Sequence, residues 1–84
     1  LHDALPILVQ FMVQNGVYAY ARQYEGKTVF VMLNGTDAET TVPLKFYKEI
    51  LKDSKQGKDI LSGKTIAFGE ELKMAPRESL VIEL

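Results

Sequence analysis

Two β-rich runs, Val17-Tyr-Ala-Tyr-Ala-Arg-Gln-Tyr24 and Lys27-Thr-Val-Phe-Val-Met-Leu-Asn34, stand on either side of Glu25-Gly26. A two-residue loop with glycine in second place suits a type I′ turn, in which both central residues take positive φ. Glu is a poor first residue for that turn, so the hairpin is better specified than its turn type. The loop sets a register with Tyr24 opposite Lys27, Arg22 opposite Val29, Tyr20 opposite Val31 and Tyr18 opposite Leu33. On the other face Ala21 meets Phe30 and Ala19 meets Met32, small against large, as cross-strand neighbours favour. Both faces are substantially apolar. A sheet with one wet face alternates apolar and polar residues, so this hairpin is expected to be covered on both sides.

Working outward, Asn34-Gly35-Thr36-Asp37 is a turn cluster and Glu39 to Val42 a short third strand. After Pro43 the period changes: Leu44, Tyr47, Ile50 and Leu51 recur at helical spacing with Lys45, Lys48 and Lys52 between them. This predicts a helix of about two turns that ends around Asp53-Ser54. Strand character returns at Asp59 to Leu61, turns at Ser62-Gly63 and resumes from Lys64 to Phe68. Leu72 to Ala75 is a further strand, and Ser79 to Leu84 alternates with Leu80, Ile82 and Leu84 facing inward. Six to eight short strands with turn signals between them favour an antiparallel sandwich or barrel.

The chain has 84 residues, 10 Lys+Arg against 11 Asp+Glu, 46% hydrophobic and 25% charged residues, which excludes disorder and leaves room for one domain. A protein of this size buries only about 60% of the surface its unfolded form exposes. With no cysteine, neither disulfides nor a Cys-based zinc site can compensate. The domain is expected to lean on something else. Lysines scattered among acids from Lys45 to Lys73 form no basic stripe, so no nucleic-acid partner is expected. The apolar stretch Leu5 to Val13 is interrupted by Pro6 and Gln10 and falls far short of the roughly 20 residues of a spanning helix, so no membrane partner is expected either. It also lacks the basic lead of a signal peptide.

The inventory for chemistry is short. His2 is the single histidine and stands near a terminus, so Ser54, Ser62 and Ser79 have no base and a Ser-His-Asp triad is excluded. No metal-ligand spacing is present, and no cofactor is implied. Gly63-Lys64-Thr65 resembles the end of a phosphate loop, but lacks the upstream glycine and the following helix, and reads as a hairpin turn. Asp37, Glu39, Asp59, Glu70, Glu71, Glu78 and Glu83 lie beside turns or on wet strand faces, without the apolar setting that makes a carboxyl a general acid. Asn34-Gly35-Thr36 fits the glycosylation triplet, yet serves a turn equally well. No catalytic residue is assigned. Tyr18, Tyr20 and Tyr24 share one strand face, where tyrosines serve either as sugar-stacking platforms or as amphipathic rings at a packing boundary.

The run from Gln14 to Asp37 resembles the start of the C-terminal β-sandwich of cyclomaltodextrinase and neopullulanase enzymes in the α-amylase family. The matching features are Val17, Tyr18, Tyr20, Arg22, Leu33 and Asn34. Gly57-Lys-Asp-Ile-Leu-Ser-Gly-Lys64 resembles that family's hairpin motif, and Ala75 to Leu84 its closing strand. The short Leu44 to Leu51 helix falls where those domains have one. The resemblance covers residues 8–84, whereas 1–7 depart from it and read as a connecting segment or an artefact.

The resemblance implies an all-β, small antiparallel Greek-key β-sandwich with one short helix. It also implies a non-catalytic domain that packs on and stabilises the (β/α)₈ catalytic barrel of the same polypeptide, in an enzyme hydrolysing α-1,4 bonds of α-glucans. The compartment would follow the parent enzyme, bacterial cytoplasm or periplasm. On this reading Val29, Val31 and Leu33 face the sandwich interior, and Ala19, Ala21, Phe30 and Met32 form the interdomain interface. Two alternatives stand beside it: a maltooligosaccharide-binding module using Tyr18, Tyr20 and Tyr24, with an α-glucan as partner, and a free-standing interaction domain.

Overall fold

The computed structural model describes residues 7–84. Among these residues eight strands form two antiparallel sheets around one core: β1 (Ile7–Gln10), β2 (Val17–Tyr24), β3 (Lys27–Asn34), β4 (Thr40–Pro43), β5 (Gln56–Asp59), β6 (Thr65–Ala67), β7 (Glu71–Met74) and β8 (Ser79–Glu83). The larger sheet runs in the order β1-β2-β3-β8-β5-β6, and β4 pairs with β7 in the smaller one. The polypeptide visits the small sheet twice before β8 returns to the middle of the large sheet, the kind of crossing connection a Greek-key sandwich requires. The all-β sandwich with one short helical segment is therefore the observed architecture.

The central hairpin has the register its sequence dictates. Tyr24 pairs with Lys27, and the ladder continues through Arg22↔Val29, Tyr20↔Val31 and Tyr18↔Leu33 to Val17↔Asn34. Glu25 and Gly26 both take positive φ, 51° and 78°, the backbone of a type I′ turn even with Glu in first place. The helical segment starts as a 3₁₀ turn (Leu44–Tyr47) and continues as α1 (Lys48–Leu51), stopped by Lys52 at a φ of 49°. It lays Leu44, Tyr47, Ile50 and Leu51 onto the core.

The hairpin's faces are assigned the opposite way round from the sequence-based expectation. Ala19, Ala21, Phe30 and Met32 are buried inside the sandwich, while Val29 and Val31 are half-buried and Leu33 is 41% exposed on the outside. The alanines explain why. They leave a hollow over β2, and Phe30, Phe11 and Tyr47 fill it as an aromatic cluster with centroid separations of 5.1–6.1 Å. Edge-on and tilted contacts of this kind add about 0.5–1.5 kcal/mol each beyond area burial. Phe30 and Met32, with the two alanines, are thus core residues of this domain and not the outward-facing ones the sequence suggested.

Two further differences are local. The strand expected at Asp59 to Leu61 instead occupies Gln56–Asp59, because the Asp59 carboxylate caps the turn that follows and ends the ladder there. Gly57 also lies in tight contact with Ile82, and a Cβ would come within 3.1 Å of the Glu83 carbonyl, so glycine lets β5 approach β8. The other difference is β1, which is absent from the strands expected from sequence. It is joined to β2 through a tight turn with Asn15 and Gly16 at φ 53° and 79°, and Gln14 and Val17 exchange backbone hydrogen bonds across it. Ile7, grouped by sequence with the connecting segment, is the first residue of β1 and pairs with Gln23.

Candidate functional site

The inner face of the large sheet is closed by the small sheet and the helical segment; its outer face carries Tyr18, Tyr20, Tyr24 and Leu33 among the exposed apolar residues. Cross-strand registers line these up in rows. Tyr20, Val31 and Val81 form one row, extended by Ile60, whose backbone N–H donates to the Val81 carbonyl at 2.9 Å. Tyr18, Leu33 and Ser79 form the next. On the other side of the Tyr20 row lies a charged row in which Arg22, Val29, Glu83 and Lys58 are successive partners. Tyr18 is 55% exposed, Tyr20 37% and Ile60 53%. Scattered surface apolar residues are ordinary, but contiguous rows of them mark contact surfaces.

Of the three tyrosines singled out by sequence, the structure brings Tyr18 and Tyr20 together on adjacent rows. Tyr24 lies beyond the charged row, opposite Lys27 at the hairpin end. The Tyr18 ring lies over Gly35, where a Cβ would be 2.9 Å from its Cε2. Val31, Val81 and Ile60 were missed as members of this surface. Their signal was available in the same period-two pattern, once the alanine-bearing face is recognised as the inner one.

Among the described residues the carboxylates offer no acid–base pair. Asp59 is buried rather than wet, and it accepts hydrogen bonds from the Ser62 hydroxyl at 2.7 Å and the Val81 backbone N–H at 3.0 Å. The Ser62 hydroxyl foremost, with backbone donors, holds its carboxyl below the usual range against the opposing effect of burial. That is the reverse of what a general acid needs. Arg77 and Asp37 form an ion pair at 2.7 Å on the surface. A groove of about 630 Å³ beside the helical segment, lined in part by Lys45, Lys48, Lys52, Phe68 and Glu70, holds no convergent catalytic set. Among the described residues no cluster of His, Asp or Glu is arranged to hold a metal, and no helix is long and apolar enough to cross a membrane. His2 lies outside the described residues.

Asn34 organises the end of the sheet where β3 finishes. Its amide donates to the carbonyls of Ala38 and Ala75, both at 2.9 Å, and its Oδ1 accepts from the Thr36 backbone N–H and hydroxyl at 3.0 and 2.8 Å. Both amide hydrogens are committed and the residue is 2% exposed, so the native fold does not present it for glycosylation.

A family model described as the Cyclo-malto-dextrinase C-terminal domain matches residues 8–83. The chain belongs to that family. Two solved structures of AmyP, one in complex with maltotriose and one with maltose, have a similar fold, with TM-scores of 0.72 and 0.71 at 24% and 22% sequence identity. In each case the match covers 92% of this chain and 16% of the other. This cyclo-malto-dextrinase C-terminal domain thus spans about one sixth of the length of the proteins it resembles.

Proposed function

We propose that this domain is a non-catalytic accessory module of an α-amylase-family glycoside hydrolase of the cyclomaltodextrinase and neopullulanase type, and that it packs on and stabilises the catalytic barrel that hydrolyses α-1,4-glucosidic bonds. The contact surface is the outer face of the large sheet, centred on Tyr20, Val31, Val81, Tyr18 and Leu33. The observation that carries this reading is the asymmetry between the two faces. One is sealed within the domain by its own elements, whereas the other sets apolar rows beside a charged row, with Tyr18, Tyr20, Leu33 and Ile60 exposed and Val31 and Val81 half-buried between them. The small share of the AmyP chains that this domain matches supplies an occupant, since most of such a polypeptide lies elsewhere.

The test is a charge placed in the central row of the full-length enzyme. Val31→Glu puts a carboxylate into an apolar contact, and leaving it unpaired there costs several kcal/mol. The barrel's thermal inactivation is then expected to speed up markedly, while the 84-residue domain alone loses at most about 1 kcal/mol, as for other surface changes. A full-length enzyme as resistant as the parent would sink the docking reading. The sugar-binding alternative predicts something else: heat and chemical-shift changes at Tyr18 and Tyr20 when the domain is titrated with maltoheptaose.

A further inference from the structure

We propose that Asn34-Gly35 is a self-modification site that the native fold holds closed and that unfolding opens, so that each unfolding episode exposes the domain to irreversible conversion of Asn34. In an Asn-Gly pair the glycine backbone nitrogen, on losing its proton, attacks the carbonyl carbon of the asparagine amide group. The new C–N bond closes a succinimide, the bond from that carbon to the amide nitrogen breaks, and ammonia leaves carrying a proton. Water then opens the ring at either carbonyl, supplying hydroxyl to the carbon and a proton to the nitrogen. The balance is asparagine plus water to aspartate or isoaspartate plus ammonia. Glycine permits this readily because no Cβ obstructs the approach or restricts the backbone.

Each participant is withheld in the folded domain. The Gly35 N–H donates to the Gly16 carbonyl at 2.9 Å, and the Asn34 amide is held by bonds to Thr36, Ala38 and Ala75. At 2% exposure, Asn34 is also shielded from water.

The same contacts explain why the fold keeps so labile a pair. Position 34 must both donate twice and accept, which an amide does and a carboxylate does not. At position 35 any Cβ would sit 2.9 Å from the Tyr18 ring and 3.2 Å from the Gly16 carbonyl. The product therefore does not fit its own site. Aspartate turns an anion toward two carbonyls that have lost their donors, and isoaspartate lengthens the backbone by one carbon where β3 ends. Asn15-Gly16 supplies an internal comparison: there the asparagine is exposed, and among the described residues its amide makes one hydrogen bond, to the Thr41 carbonyl at 3.0 Å.

The experiment incubates the whole protein at mildly alkaline pH, in native buffer and in guanidinium chloride, and quantifies conversion at Asn15 and Asn34 by peptide mass mapping with isoaspartyl methyltransferase labelling. In denaturant both sites should convert at comparable rates. In native buffer Asn34 should convert at least about tenfold more slowly than in denaturant, since modification through an opened state follows the population of that state. Molecules modified at Asn34 in denaturant should stay out of the protease-resistant fraction after dilution. Equal Asn34 rates in the two conditions, or modified molecules that refold as completely as fresh ones, would overturn the proposal. Gly35→Ala, followed in denaturant alone so that folding plays no part, should slow conversion at Asn34 and leave Asn15 unchanged; no slowing would also overturn it.

Discussion

Replacing Phe30 by Ala tests the face assignment of the hairpin most directly. The Phe30 ring is fully buried and lies against Tyr47 and Phe11 at centroid distances of 5.3 and 6.1 Å. Truncating a buried phenylalanine costs about 3–5 kcal/mol, which includes the lost transfer energy, the cavity and the broken aromatic pairs. Its neighbour Ala21 is too small to close the space. A domain of this size is stable by about 4–13 kcal/mol, so the change removes about a quarter or more of the total. At a urea slope of about 1.5 kcal/mol/M, the midpoint should fall by at least about 2 M. Val31→Ala, one residue on and half-buried on the outer face, should cost the isolated domain no more than about 1 kcal/mol. Equilibrium urea unfolding of the two variants, followed by circular dichroism, reads both numbers. Equal losses, or a larger loss for Val31→Ala, would mean that the hairpin presents its other face to the core.

Asp59 should make the domain acid-sensitive. Its folded-state pKa lies below the ordinary carboxylate value, so its contribution is complete above that value and is lost as the pH falls toward the lowered one. Urea midpoints at neutral pH and in acid should therefore differ more for the parent than for Asp59→Asn, and the variant should cost about 1.5–3 kcal/mol at neutral pH. The Tyr47 hydroxyl is buried with no hydrogen-bond partner among the described residues, and burial pushes its pKa up. Tyr47→Phe should accordingly leave stability unchanged or raise it by about 1 kcal/mol, seen as a melting temperature higher by about 4–8 °C. Gly57→Ala should cost about 1–3 kcal/mol through contact with Ile82 and the Glu83 carbonyl, measured by the same urea unfolding.

Much of the fold was legible because it is local. The Glu25-Gly26 turn and the period-two pattern sufficed for the register of β2 and β3, and Pro43 with the Leu44, Tyr47, Ile50 spacing for the helical segment. The inner face was not legible, because both faces of the hairpin are apolar and hydrophobicity alone does not rank them. What decides is volume: two alanines over one face admit the rings of Phe11 and Tyr47, and those residues come from elsewhere in the sequence. β1 was legible in Asn15-Gly16, which is a strong short hairpin signal, but the broken apolar stretch before it reads more readily as a failed membrane span. Asp59 looked wet because its two long-range circumstances, burial and the bond from Val81, come from a strand 22 residues away.

The place of β8 has a consequence for the order of events during synthesis. It lies between β3 and β5, so the large sheet stays in two halves until residues 79–83 arrive. The β2–β3 hairpin is complete at Asn34, and its pairing with β8 joins Leu33 to Ser79 and Val29 to Glu83. Contacts this distant in sequence slow folding. At about 5–20 residues per second, the ribosome leaves the finished hairpin waiting about 2–9 s for the strand that completes it. Throughout that interval the β3 edge lacks its neighbour, and its unpaired backbone groups are open to strands of other nascent polypeptides until β8 takes that place.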